Sequence, residues 1–484
     1  MAVGAVNSET DPGGRTTWAD EAAATAKLAL PITGALLAEM GTAVIDYIMA
    51  GKLGAAALAA AGLGAQVLFT PQVLAMGAVG SVSALGAQAH GAEDHEMVGR
   101  VTRQGLRFAT LLSIPVMAVL AVIPAAMRRF GYDPLIVDQL QGILWWGIIG
   151  VPPFLWFTVL RNFVTVLSRP MAVTVIALAA LPITFFTNYA FMYGHWGAPN
   201  LGVASIGIAA AIFCWAQFLA IAVFVARHRV VRTYRIFGDL LLHDHRLLTD
   251  LFRVGWPIAA GYGFESGLFI VSTILIGLFG EATLAAHNVV MSISSVSFMI
   301  PWAVSQAGTV RVGYAIGAGR PAQARLAGHV AIAMGFAWMC FSACLMWFAP
   351  QFLTGFYLDL DDPANAAAIL MAAKLFVVCA IFQIFDGAQV TTGGVLRGYK
   401  DTQVPMMIMG LGYWVIGLGA GIPLAFLAGF DGPGLWWGMA LGLVASSTML
   451  VGRFEHLSRR YIDHAGTAAA PGTAGASPGQ SRAE

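Results

Sequence analysis

Long runs of apolar residues recur along this chain, each about the length of a membrane-crossing helix and each broken by a short polar segment. Predicted spans fall near 28–50, 62–86, 105–127, 140–164, 172–194, 202–226, 251–279, 287–310, 326–349, 371–395, 404–428 and 432–452. Runs of this length match the roughly 20 residues that a helix needs to cross a bilayer. They lack the period-2 alternation of a transmembrane barrel, which excludes that architecture. The predicted fold class is therefore an all-α membrane protein of twelve transmembrane helices. Composition agrees: 58% of residues are hydrophobic and 11% charged, against roughly a quarter charged in soluble domains.

Charge sets the expected orientation. Of the 26 Lys and Arg residues, all but Lys52, Arg128, Arg129 and Lys374 fall on one side of the predicted spans. That asymmetry predicts both termini in the cytoplasm and a multi-pass protein of the cytoplasmic (inner) membrane. Residues 1–27 lack the apolar core of a signal peptide and read as a cytoplasmic segment. The Ala/Gly/Pro/Ser-rich end reads as a largely disordered tail over 453–484. Between the sixth and seventh spans, the basic stretch 227–250 reads as a linker, either an amphipathic helix on anionic lipid or a solvated loop. Cys214, Cys340, Cys344 and Cys379 all lie in apolar spans and read as small packing residues.

The chain also repeats itself at an offset of 226 residues. Pro31, Glu39, Gly51 and Gly54 correspond to Pro257, Glu265, Gly277 and Gly280, and Gly91 corresponds to Gly317. Six spans per copy give the copies the same orientation across the membrane. The expected arrangement is two six-helix lobes, 28–226 and 251–452, with a substrate pathway between them.

Four acids interrupt apolar spans: Glu39 and Asp46 in the first, Glu265 in the seventh and Asp386 in the tenth. An acid at that depth costs at least about 2.5–3.5 kcal/mol on insertion scales, so it belongs in a protein interior or an aqueous cavity. The sequence shows no basic residue at the same depth, and all Arg and Lys map to loops or span ends. A proton, a metal cation or a cationic ligand is then the expected partner. Glu39 and Asp46, seven residues apart, are expected on one helix face and in one cavity. Near Asp386 stand Gln383 and Gln389, and the run Thr391-Thr392-Gly393-Gly394 could unwind to offer carbonyl oxygens. Asn188 could line a cavity or bind neighbouring backbone. Trp145, Trp146, Trp156, Trp256 and Trp302 could stack on substrates, though anchoring at the membrane interface is the commoner use. Pro31, Pro182, Pro257, Pro301 and Pro423 are candidate bends. No GxxxxGK[ST], HExxH or GxSxG motif is present, so neither direct ATP drive nor hydrolase chemistry is expected.

Several segments resemble the multidrug and toxic compound extrusion transporters, in particular their bacterial NorM-like branch. These are LPITGALLAEMGTAVIDYIMAGKLG in the first span, GYGFESGLF in the seventh, AAHNVVMSISS (with Asn288) entering the eighth, and FDGAQVTTGGVLRGYKDTQVP from the tenth. The likeness runs over about 25–455. It implies two lobes in a V and export of organic cations in exchange for sodium or protons. On that resemblance, Asp46 matches the first-span acid of coupling, and Glu265 and Asp386 match acids of cation binding, with sodium as one candidate ion. Phe382 stands where some sodium-coupled members carry tyrosine, and Glu39, grouped with the other three acids as a cation-coupling and substrate-binding candidate, is the one the resemblance assigns least. No resident cofactor is expected beyond the coupling ion. Partners would be small organic cations and membrane lipid, without nucleic acid, and one chain would suffice. Two alternatives stand beside the antiporter. A lipid-linked oligosaccharide flippase would call for basic residues in the central cavity. An intramembrane metal enzyme would call for acids clustered within a turn or two.

Overall fold

In the computed structural model, described over residues 17–238 and 244–469, twelve helices are long and apolar enough to cross a membrane. They are α1 (Trp18–Gly51), α2 (Ala56–Gly91), α3 (His95–Arg129), α4 (Pro134–Val166), α5 (Met171–Tyr193) and α6 (Gly202–Arg227) in the first half. The second half holds α7 (His245–Gly277), α8 (Glu281–Gly317), α9 (Pro321–Phe348), α10 (Pro363–Gly398), α11 (Gln403–Phe426) and α12 (Asp431–Ala465). No strand occurs among the described residues.

Most helices extend past the apolar runs, because hydropathy marks the membrane interior and capping marks the helix. α1 starts ten residues before its apolar run: Thr17 accepts from the Asp20 amide while the Asp20 carboxylate accepts from Thr17 N. α12 continues as helix to Ala469, so the first part of the expected tail is helical; residues 470–484 lie outside the described residues. In place of an amphipathic linker helix stands one 3-10 turn at Val231–Tyr234, and α7 begins at His245. Residues 239–243 of that linker lie outside the described residues. All five named prolines sit inside helices. α11 carries a π-helical stretch, Leu411–Leu418.

The repeat is visible in the backbone. Gly54 and Gly280 open α2 and α8 with φ of 114° and 101°, values that favour glycine over any residue with a Cβ. Gly91 and Gly317 close the same two helices and face each other's backbone: a Cβ on Gly91 would strike the Tyr314 carbonyl, and one on Gly317 the Gln88 carbonyl. The paired glycines let α2 and α8 touch where the halves meet.

Both described chain ends lie at one end of the bundle, here the terminal end. Each half has its own apolar core. One is built from α1–α6 with the first turns of α7, the other from α7–α12. A third cluster joins them at the terminal end, with Leu28, Ile32 and Leu36 of α1 meeting Val304, Val310 and Val312 of α8 and Phe454 of α12. Among the described residues no core cluster joins the halves at the opposite, distal end.

Candidate functional site

The four acids do not share one environment. Glu39 accepts a hydrogen bond from Arg161 Nη1 at 3.0 Å, and the Arg161 side chain is only 7% exposed. This overturns the expectation that no basic residue lies at the depth of the acids. Arg161 stands more than a turn inside the end of α4, and its long side chain runs inward to α1 instead of out to solvent. Asp46 has a different neighbour. Asn188 of α5, fully buried, donates to Asp46 Oδ1 at 2.5 Å and accepts from Ser205 through its own Oδ1. Glu39 and Asp46 thus turn to α4 and α5 and line neither of the two interior cavities described below.

The second-half acids do come together. Glu265 of α7 and Asp386 of α10 are near enough for their charges to interact, and both lie within the same electrostatic range of buried Tyr413 of α11. Asp386 is 4% exposed and Tyr413 1%. Glu265 lines a cavity of about 50 Å³ with Tyr262, Gln389, Arg397, Met406 and Met409. Gln389 Oε1 and Gln383 Oε1 are buried without hydrogen-bond partners, and the Gln383 amide donates weakly to the Ser294 carbonyl at 3.5 Å. Of these acids and amides, Glu265 and Gln389 share the cavity, and their oxygens are hard donors of the kind a small hard cation prefers. Among the described residues no group of three His, Cys, Asp or Glu side chains could hold a metal.

Phe382 is 1% exposed and packs on Phe269 and Trp436, away from solvent. Besides Tyr262 in the Glu265 cavity, a second phenol, that of Tyr413, lies within electrostatic range of both acids. It arrives from α11, where the π-helical stretch changes the face that α11 presents, and no motif in the sequence marks it. Asn288 is exposed. The Thr391–Gly394 run stays helical. Thr391 and Thr392 bond back to the Gly387 and Ala388 carbonyls, while the Val390 and Gly394 carbonyls accept from Ser305 and Thr309 of α8. Those bonds occupy the carbonyls that unwinding was expected to free.

A second cavity, of about 40 Å³, lies between the halves. Arg161 and Asn162 of α4 face it from one side; Tyr262, Trp302, Gln306 and Arg397 face it from the other. Arg397 lines this cavity and the acidic one alike. It donates to the Tyr262 hydroxyl (2.9 Å) and Ser305 Oγ (2.7 Å). Basic groups therefore reach the space between the halves, contrary to the expectation that all Arg and Lys map to loops or span ends, so a lack of basic residues there does not count against the flippase. Of the five tryptophans, Trp302 lines the cavity. Trp145 and Trp146 lie exposed on α4, and Trp156 donates to Thr110.

Twelve apolar helices in two repeat-related halves, with buried acids and a polar space where the halves meet, define a membrane transporter. A family model described as MatE matches residues 31–190 and 257–426, one stretch in each half. The chain belongs to the MatE family of transporters. It is 38% identical over 445 residues to a probable multidrug resistance protein NorM of Burkholderia mallei, covering 91% of this chain and 94% of that one. It is 36% identical over 434 residues to the multidrug resistance protein NorM of Burkholderia vietnamiensis, covering 89% and 93%. Among solved structures it resembles a multidrug resistance MATE family transporter in an outward-facing conformation (TM-score 0.83, 18% identity, 93% and 99% covered). It also resembles the Vibrio cholerae MATE transporter VcmN in a bent form (TM-score 0.78, 15% identity, 92% and 99% covered).

Proposed function

We propose that the chain is a multidrug exporter working as an antiporter, in which sodium or protons moving inward drive organic cations outward. The observation that carries this reading is the Glu265–Asp386 pair, two interacting acids in the interior of the second half with a cavity beside Glu265. Two neighbouring carboxylates are best stabilised by sharing positive charge, whether a proton, a metal ion or a cationic substrate. Ion and substrate then compete for the same oxygens, and that competition is what couples their movements. Asp46, held by Asn188, is a second acid able to take up a proton within the first half.

The terminal end is assigned to the cytoplasm of the inner membrane on the one-sided distribution of Arg and Lys. The halves, about 28–226 and 251–452, would close alternately at the two ends. Each cation entering with the membrane potential supplies about 2.3 kcal/mol per 100 mV. In one-for-one exchange with a monovalent cation the two charge movements cancel, so the potential drives export only when a further ion enters or the substrate is neutral. Otherwise the ion's own concentration gradient drives it.

The test is efflux of a fluorescent organic cation from proteoliposomes, with sodium and pH gradients imposed separately. Wild type should export under at least one gradient, which names the ion. Glu265→Gln and Asp386→Asn should lose gradient-driven export. Export that survives both substitutions would refute the role given to the acid pair.

A further inference from the structure

We propose that four arginines around the short turn after α6 form a binding site for an anionic phospholipid, whose phosphate they hold at the terminal end of the bundle. The site goes beyond transport and stands whether or not the chain is an antiporter.

The turn is built to hold its arginines in place. Val231–Tyr234 forms a single 3-10 turn, and Val231, Tyr234 and Ile236 are buried. The Tyr234 hydroxyl bonds to His95 Nδ1 at 3.2 Å, and Arg103 of α3 donates to the Tyr234 and Arg235 carbonyls at 3.5 and 3.1 Å. Gly99 lets α3 come this close, since a Cβ there would lie 2.6 Å from the Tyr234 carbonyl oxygen. With the apolar residues turned inward, Arg229, Arg232 and Arg235 follow one another at the three-residue repeat of a 3-10 helix, and all three are exposed. Together with Arg227 they line an open pocket of about 590 Å³.

Four like charges around one pocket repel each other until an anion joins them. Among the described residues, none of the four makes a salt bridge or a side-chain hydrogen bond. Arg235 also has φ of 46°, a left-handed backbone that a residue with a Cβ adopts at a cost. A signal that only orients the chain in the membrane needs neither feature. It counts basic residues on one side, and a solvated loop supplies them equally well.

The walls of the pocket say which anion. Guanidinium forks suit phosphate oxygens. Val225 and the exposed Phe237 line the pocket beside the arginines. The pocket lies where α6 ends at Arg227, the level at which an apolar span gives way to headgroups. Phe237 and Val225 offer a surface to the glycerol and first acyl carbons of a lipid, whereas a free phosphate ion would use the charges alone.

Native mass spectrometry of the purified full-length protein in a neutral detergent tests this. The probes are dioctanoyl phosphatidylglycerol and dioctanoyl phosphatidylcholine, which share a phosphate and differ in net charge. A basic residue beside anionic lipid is worth about fivefold in binding. Wild type should therefore prefer phosphatidylglycerol by about 25-fold, two arginines' worth. Arg229→Gln with Arg232→Gln should bring the two lipids near parity. Lys52→Gln with Arg129→Gln, which removes two charges at the distal end, should leave the preference unchanged. Equal binding of both lipids by wild type overturns the proposal. So does an undiminished preference in the Arg229 and Arg232 pair, or an equal loss in both double variants. Release of the bound lipid by an equal concentration of inorganic phosphate would assign the site to the free ion and also overturn it. The wild-type comparison and the phosphate competition need no variant.

Discussion

Glu21 gives the most direct test of how the halves hold together. It is fully buried near the start of α1, and Arg311 of α8 grips its carboxylate with two hydrogen bonds, Nε to Oε1 at 2.7 Å and Nη2 to Oε2 at 2.6 Å. The pair joins the halves across 290 residues of sequence at the terminal end. It is reinforced nearby by Gln88 of α2, which donates to the Gly398 carbonyl of α10 at 2.8 Å. Opening the terminal end must break this pair and hydrate both partners.

Removing one member of a buried ion pair costs about 3–5 kcal/mol, because the other is left charged and unpaired. Here the Arg311 side chain is 23% exposed and glutamine can still accept one bond, so Glu21→Gln should cost the closed state about 2–3 kcal/mol. That is a shift of roughly 30- to 150-fold toward the form open at the terminal end. The assay is a double electron–electron resonance distance between spin labels at Glu96 and Arg459, both exposed and one in each half. The native cysteines are first replaced, since Cys344 is itself exposed. Glu21→Gln should add a longer-distance population, and the swap Glu21→Arg with Arg311→Glu should reduce it. An unchanged distribution in Glu21→Gln would mean that the pair is not what closes this end.

Three further outcomes follow from the packing. Glu39→Gln leaves Arg161 buried without its anion and should lower stability by about 3 kcal/mol, whereas adding Arg161→Gln should recover part of the loss; thermal unfolding in detergent reads both. Gly91→Ala drives a methyl into the Tyr314 carbonyl where α2 meets α8 and should cost about 1–3 kcal/mol, while Gly62→Ala, in open space, should be neutral in the same melt. Tyr413→Phe removes a buried phenol within electrostatic range of both Glu265 and Asp386 and should shift the half-maximal ion concentration for efflux several-fold; an unchanged ion dependence would show that the hydroxyl plays no part.

The fold was legible because it follows from simple constraints. Backbone groups must be satisfied inside a bilayer, so apolar runs become helices. An even number of spans per repeat then fixes how the copies are oriented. The paired glycines at 54/280 and 91/317 could be read at a constant offset because each serves the same backbone need in both halves. The acids were legible too, since a carboxylate in an apolar run stands out against its neighbours.

Their partners were not, and the reason is geometric. Arg161 lies within a turn or two of a span end, where an arginine usually runs out to the headgroups. Its direction is set by Glu39 of α1, which the long side chain reaches across to meet, a contact between residues 122 apart that no local pattern encodes. The same holds for Asn188 meeting Asp46 and for Tyr413 lying within electrostatic range of the second-half acids. This error has a direction. Sequence reading finds the charges that hydropathy makes conspicuous, the acids at mid-span, and discounts basic residues near span ends because a long side chain can reach water. An interior judged acidic from sequence can thus be of mixed charge, as it is here. The charge such an interior presents depends on where Arg161 and Arg397 point, not on where they fall along the chain.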